Sequence, residues 1–137
     1  MQREKRHNGA VFLIVVFAIA LMATITVGIL VMTTEELQLM RNQLYAANAM
    51  CTAEAGLNDA FAQIRTDPNW TPDASYTNKS FSSYGTYTVT YEGALPDPNI
   101  ISTGVSPEGY TARVKAEVTI GTIAPYVIRI DKLRVNE

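Results

Sequence analysis

The chain has 137 residues, 11 basic and 13 acidic, for a net charge of −2. That near-balance gives no cationic stripe for a nucleic-acid backbone, and the length leaves room for one small domain beside any membrane segment. One cysteine, Cys51, excludes an intramolecular disulfide framework, and the one histidine, His7, lies in a different region, which argues against a zinc site.

Residues 1–9, MQREKRHNG, carry Arg3, Lys5 and Arg6 against a single acid, Glu4. Basic residues ahead of an apolar run hold an N-terminus in the cytoplasm and place the remainder of the chain outside the inner membrane. The run is Ala10–Met32, 23 residues without a charge. As a helix it would be roughly 35 Å long, enough for a hydrocarbon core of about 30 Å. Thr24, Thr26 and Gly28 suit such a helix, because a Thr hydroxyl can bond a carbonyl one turn back and Gly permits close contact. A soluble core helix would need a polar face, and none occurs before Thr33. A cleaved signal peptide would have a shorter apolar core and a small-x-small site leading into a loop or strand. The sequence after Met32 continues as helix instead.

From Thr33 the composition turns polar while apolar residues recur at spacings of three and four. Leu37, Met40, Leu44, Ala47, Met50, Ala53, Leu57, Ala60 and Ile64 trace one stripe. No proline occurs before Pro68, so one helix is expected from about Ala10 to Arg65, ended by Asp67-Pro68. Its outer half, residues 33–65, must lie on its own domain, on neighbouring subunits, or on both. The segment Ala46–Ala62 is dense in small residues: Ala46, Ala47, Ala49, Ala53, Ala55, Gly56 and Ala60. Small side chains let a helix or sheet approach closely; the competing reading is helix propensity alone. Cys51 sits among them and reads as a small buried side chain.

Residues 66–137 form the rest. The stretch TDPNWTPDASYTNKSFSS reads as a loop with Trp70 as its anchor. Beyond it the pattern alternates with period two. Tyr87, Val89 and Tyr91 share one face, and Tyr84, Thr86, Thr88 and Thr90 the other. Ile100–Thr103 is a short strand. Tyr110–Ile120 is the clearest strand, with Ala112, Val114, Ala116, Val118 and Ile120 on one side. In Tyr126–Val135, Tyr126, Ile128 and Ile130 alternate inward, but Leu133 and Val135 have the opposite parity. A bulge or strand end near Asp131–Lys132 would account for the flip. The fold class is therefore α+β: a long N-terminal helix, its first half transmembrane, its outer half covering a small antiparallel sheet of about four strands.

No nucleophile elbow, phosphate-binding loop or zinc-protease helix is present, and no catalytic, cofactor-binding or metal-binding set emerges. Glu35 and Glu36 suit an interfacial turn. Glu54 and Asp59 do not share a face closely enough for paired acid–base work. The Thr-rich strand face with Tyr84 reads as a solvated surface, with adhesion as the sharper alternative.

The layout resembles the type IV pilin and type II secretion pseudopilin superfamily, and within it the minor pilins with a PilX-type N-terminal region. The residues that carry the resemblance are RHNGAVFLIVV (Arg6–Val16), YAANAMCTAEAGLNDAF (Tyr45–Phe61) and ISTGVSPEGYTARVKAEV (Ile101–Val118). The resemblance implies a pilin-like fold and cleavage after Gly9 by a prepilin peptidase, with Ala10 as the new, methylated N-terminus. Loss of three basic residues and one acid would leave 8 against 12, a net charge of about −4. It implies as partners other pilin or pseudopilin subunits, the peptidase, an inner-membrane assembly platform and lipid, with no cofactor. A typical major pilin has Glu at the fifth mature position, where this chain has Ile14. In the family that carboxylate neutralises a neighbour's N-terminal ammonium, a charge that is costly to bury unpaired. Tip pseudopilins share its lack. A minor, priming or tip subunit is thus the expectation; a permanently membrane-anchored binding module, needing no cleavage at Gly9, is the alternative.

Overall fold

The computed structural model describes residues 4–124 and 126–136, with side chains from residue 9 onward. Met1–Arg3, part of the expected leader, lie outside the described residues. The opening element is one helix, α1, Glu4–Thr66. It begins earlier than expected, so the Gly9–Ala10 bond lies within helix. Its end reflects Pro68, which disfavours helical geometry at Asp67: the Asp67 N–H still donates to the Gln63 carbonyl at 2.8 Å, and the Asp67 side chain then accepts from the Asn69 N–H at 2.9 Å in the turn that follows.

Contacts divide the chain into two compact units, Met1–Arg41 and Asn42–Glu137. In the first, every side chain from Ala10 to Met32 is exposed, and the helix is long and apolar enough to cross a membrane.

In the second unit the end of α1 packs on a sheet of five strands, one more than expected. These are β1 (Lys79–Phe81), β2 (Gly85–Glu92), β3 (Asn99–Val105), β4 (Thr111–Ile120) and β5 (Ile128–Val135). They pair antiparallel in chain order. The added strand, β1, comes from the stretch read as loop. It is only three residues long and has no periodicity to read, but pairs Lys79 with Tyr87 and Phe81 with Gly85. Two short 3-10 turns, Ala74–Tyr76 and Ser82–Tyr84, flank it. Trp70 anchors the preceding loop, edge-on to Tyr76 at 4.8 Å and to Tyr91 at 5.8 Å.

The parity flip in β5 is a bulge. Glu117 pairs with Lys132 and Val118 with Ile130, leaving Asp131 as the extra residue. It keeps Ile128, Ile130, Leu133 and Val135 on the helix side of the sheet.

The core lies between α1 and that side. Ala49, Ala53, Leu57, Ala60 and Ile64 meet Tyr87, Val89, Ile100, Val114, Ala116, Val118 and Ile120. Spacings of four and three put the helical set on one stripe. The expected stripe is narrower than drawn: Leu37, Met40, Leu44 and Ala47 are exposed, and Ala49 and Thr52 take the first buried places. Cys51 is also exposed, not buried. It sits one position off the buried stripe, and 100° of helical rotation carries it to the outer side.

Candidate interaction surfaces

The longest exposed surface is the apolar half of α1. Thr24 Oγ1 donates to the Leu21 carbonyl and Thr26 Oγ1 to the Met22 carbonyl, each at 2.8 Å. Both hydroxyls are therefore satisfied within the helix, as a hydrocarbon environment requires. Gly9 and Ala10 are exposed at its start, and Ile14 is 68% exposed. Glu35 and Glu36 come after the apolar run, exposed and in no described ion pair.

The small residues sort by position. Ala49, Ala53, Gly56 and Ala60 are buried against the sheet, Ala55 is half-buried, and Ala46 and Ala47 face outward and take no part in this contact. The closest approach is at Gly104 of β3, where a Cβ would overlap the Ala49 carbonyl and the Ala53 backbone. One turn on, a Cβ at Gly56 would strike Ser102 Oγ and the Tyr87 ring. Helix and sheet thus touch almost backbone to backbone. Of the two readings of the small-residue run, close approach of a sheet accounts for these four positions.

A charged cluster ties α1 to the sheet edge. Asp59 Oδ2 accepts from Lys79 Nζ and from Tyr87 Oη, both at 2.6 Å, and Lys79 Nζ lies 4.4 Å from the Tyr76 ring centre. Burial pushes the Asp59 carboxyl up, but the hydrogen bonds from Lys79 and Tyr87 outweigh it and hold it below its usual 3.8. The bond to Asp59 raises Lys79 above its usual 10.5. Burial, with the same carboxylate, pushes Tyr87 up to about 12. The sequence carries no sign of this cluster, since its members lie 20 and 28 residues apart.

The sheet face away from α1 is polar and paired. Glu92 accepts from Lys115 at 2.7 Å and lies 3.6 Å from Arg113, Arg134 meets Glu117 at 3.3 Å, and Asp131 bridges Arg129 and Thr119. Tyr84 is exposed but beside Phe81, apart from those pairs. The bonds from Lys115 hold Glu92 below its usual 4.5, and those from Thr119 and Arg129 do the same for Asp131. These charges satisfy one another. Among the described residues no group of three His, Cys, Asp or Glu side chains could hold a metal ion.

On the other side of the sheet an apolar trough remains open. β5 extends past the helix, so Ile130, Leu133 and Val135 stay about half exposed. With Met50, Leu57 and Phe61 they line a cavity of about 240 Å³, and Glu54 and Asn58 stand at its edge. Alternation alone would put Ile130 in the core. Only the width of the sheet relative to the helix shows that it is not.

No family model matches this chain, and neither does any curated protein or solved structure.

Proposed function

We propose that this chain is a minor pilin or pseudopilin, a structural subunit that primes or caps a type IV pilus-like or type II secretion filament. The observation that carries the reading is a single helix, Glu4–Thr66, that is bare and apolar at one end and roofed by a small antiparallel sheet at the other. A surface of this kind suits two dry environments in turn. It can sit in lipid as a single-pass anchor with its N-terminus cytoplasmic, and later pack against the apolar helices of other subunits. The same side chains serve both, because both environments exclude water.

The reaction this role requires is done to the chain, not by it. A prepilin peptidase removes residues 1–9, and the new ammonium sits on Ala10. The scissile bond lies in the second turn of α1, so the start of the helix must unwind to enter the enzyme. Gly9 favours that, being about 1 kcal/mol worse than Ala in a helix. With Ile14 in place of an acid, the subunit offers no carboxylate to a neighbour's ammonium. A place at the start or end of a fibre, where no such neighbour need be matched, fits that chemistry better than repetition through the shaft.

The test is the intact mass of the full chain expressed with and without a prepilin peptidase. Loss of Met1–Gly9 only in its presence is the expected outcome. An uncut chain in both would overturn the proposal in favour of a permanently anchored binding module. In a cleaved chain, Ile14→Glu should increase incorporation along the shaft, read by quantitative labelling of isolated filaments.

A further inference from the structure

The sheet ends in an open strand. β5 pairs with β4 on one side, and along its other edge, 8 residues long, no described strand lies beside it. Charges and a bulge ordinarily protect such an edge from pairing. Here they do the reverse, because they make the strand complementary to itself. Its sequence, IRIDKLRV, reads apolar, Arg, apolar, acid from the front and apolar, Arg, apolar, Lys from the back. The bulge lets the two halves match in space. In a regular strand residues 128 and 130 would face one side, and 133 and 135 the other. Asp131, the extra residue, bonds Thr119 on the outer face, and Lys132 lies opposite Glu117 on the same face. Both therefore turn outward, and the four apolar residues share the helix side.

We propose that a second copy of this chain adds its β5 antiparallel to this one, about a two-fold axis between Asp131 and Lys132. Ile128 then lies opposite Val135, Ile130 opposite Leu133 and Asp131 opposite Lys132, each pair occurring twice. The backbone groups of both edges become paired, as in strand addition. Ile130, Leu133 and Val135, each about half exposed, cover one another across the seam and supply the attraction. Lys132 is exposed and in no described ion pair, and Asp131 of the second copy gives it one. Arg129 faces Arg134 across the seam, but each is held by its own chain, Arg129 by Asp131 at 2.7 Å and Arg134 by Glu117 at 3.3 Å. Sliding either strand by one or two residues sets Ile130 or Leu133 against Asp131 or Lys132, so the pattern fixes the register. The contact is isologous and closes at two copies. It propagates nothing, and it stands whether or not the chain enters a filament. The axis is perpendicular to the joined sheet, so the parts of α1 lying on it run in opposite directions. Copies anchored side by side in one bilayer share one direction, so the partner is a copy held on another membrane or assembly.

The experiment uses the full chain in detergent, as an equal mixture of unlabelled and heavy-isotope-labelled copies, treated with a water-soluble carbodiimide. The reagent joins a carboxylate and an amine in direct contact as an amide and takes up the water released. A mixed-isotope link between Asp131 and Lys132 is expected. Sedimentation then reads the strength of the dimer. Asp131→Lys and Lys132→Asp should each weaken it by about tenfold or more, because like charges meet twice at its centre. A one-to-one mixture of the two variants should regain it as a heterodimer, since each acid again meets a lysine. A merely structural role of either residue gives no such rescue. Absence of the mixed-isotope link overturns the proposal, as does a mixture no stronger than its components. So does a dimer indifferent to the single reversals, as association through the apolar half of α1 would be. Both positions are exposed, and unchanged circular dichroism verifies the fold of each variant.

Discussion

Gly104 and Gly56 show how much depends on the absence of a single methyl group. A Cβ at Gly104 would meet backbone atoms of Ala49 and Ala53, which cannot step aside without moving the helix. At Gly56 it would meet side-chain atoms of Ser102 and Tyr87, which can shift by a little. Gly104→Ala should therefore destabilise the fold by about 3 kcal/mol, at the upper end of overpacking costs, and Gly56→Ala by nearer 1 kcal/mol. Urea unfolding of the two variants at neutral pH measures the difference, and equal effects would mean that the helix gives way as easily as a side chain. In sequence both are single glycines in ordinary company. Gly56 belongs to a visible small-residue run, whereas nothing around Gly104 marks it.

At the scale of elements, β1 is the instructive case. Three residues cannot hold a sheet edge by pairing alone, and Lys79 of β1 is fastened to Asp59 of α1, with Tyr87 of β2 on the same oxygen. Asp59 has its folded pKa depressed, so its share of stability is present above about 3.8 and is lost as pH falls through the lower folded value. Lys79 and Tyr87 are raised, so their shares are present below 10.5 and 10.0 and fade as pH climbs through their folded values, about 12 for Tyr87. Asp59→Asn should cost about 1 kcal/mol at pH 7, toward the low end for a charged hydrogen bond because Lys79 is 39% exposed. The variant should also lose stability less than the parent between pH 5 and about pH 2. Thermal melts across that range check both statements, and hydrogen exchange at the amides of β1 should quicken first.

For the whole molecule, the two compact units differ in what they need. Asn42–Glu137 contains all the buried core residues, whereas the described side chains of Met1–Arg41 are exposed throughout. A chain beginning at Asn42 should therefore fold alone in water with a single cooperative transition, seen by near-ultraviolet circular dichroism and urea titration. A molten or aggregated fragment would mean that the first unit contributes to folding and not only to anchoring and assembly.

The long helix, its apolar half, the α+β class and even the bulge in β5 were legible in the residues alone, because each is written in local periodicity. A charge-free run needs no partner to be recognised, and a parity flip betrays its own extra residue. Packing in three dimensions settled which small residues face the sheet, that Cys51 is exposed, that β1 exists, and that β5 overhangs the helix. Those outcomes depend on where one element ends relative to another. A pattern within a strand reports which side it turns inward, but not whether anything lies there to cover it.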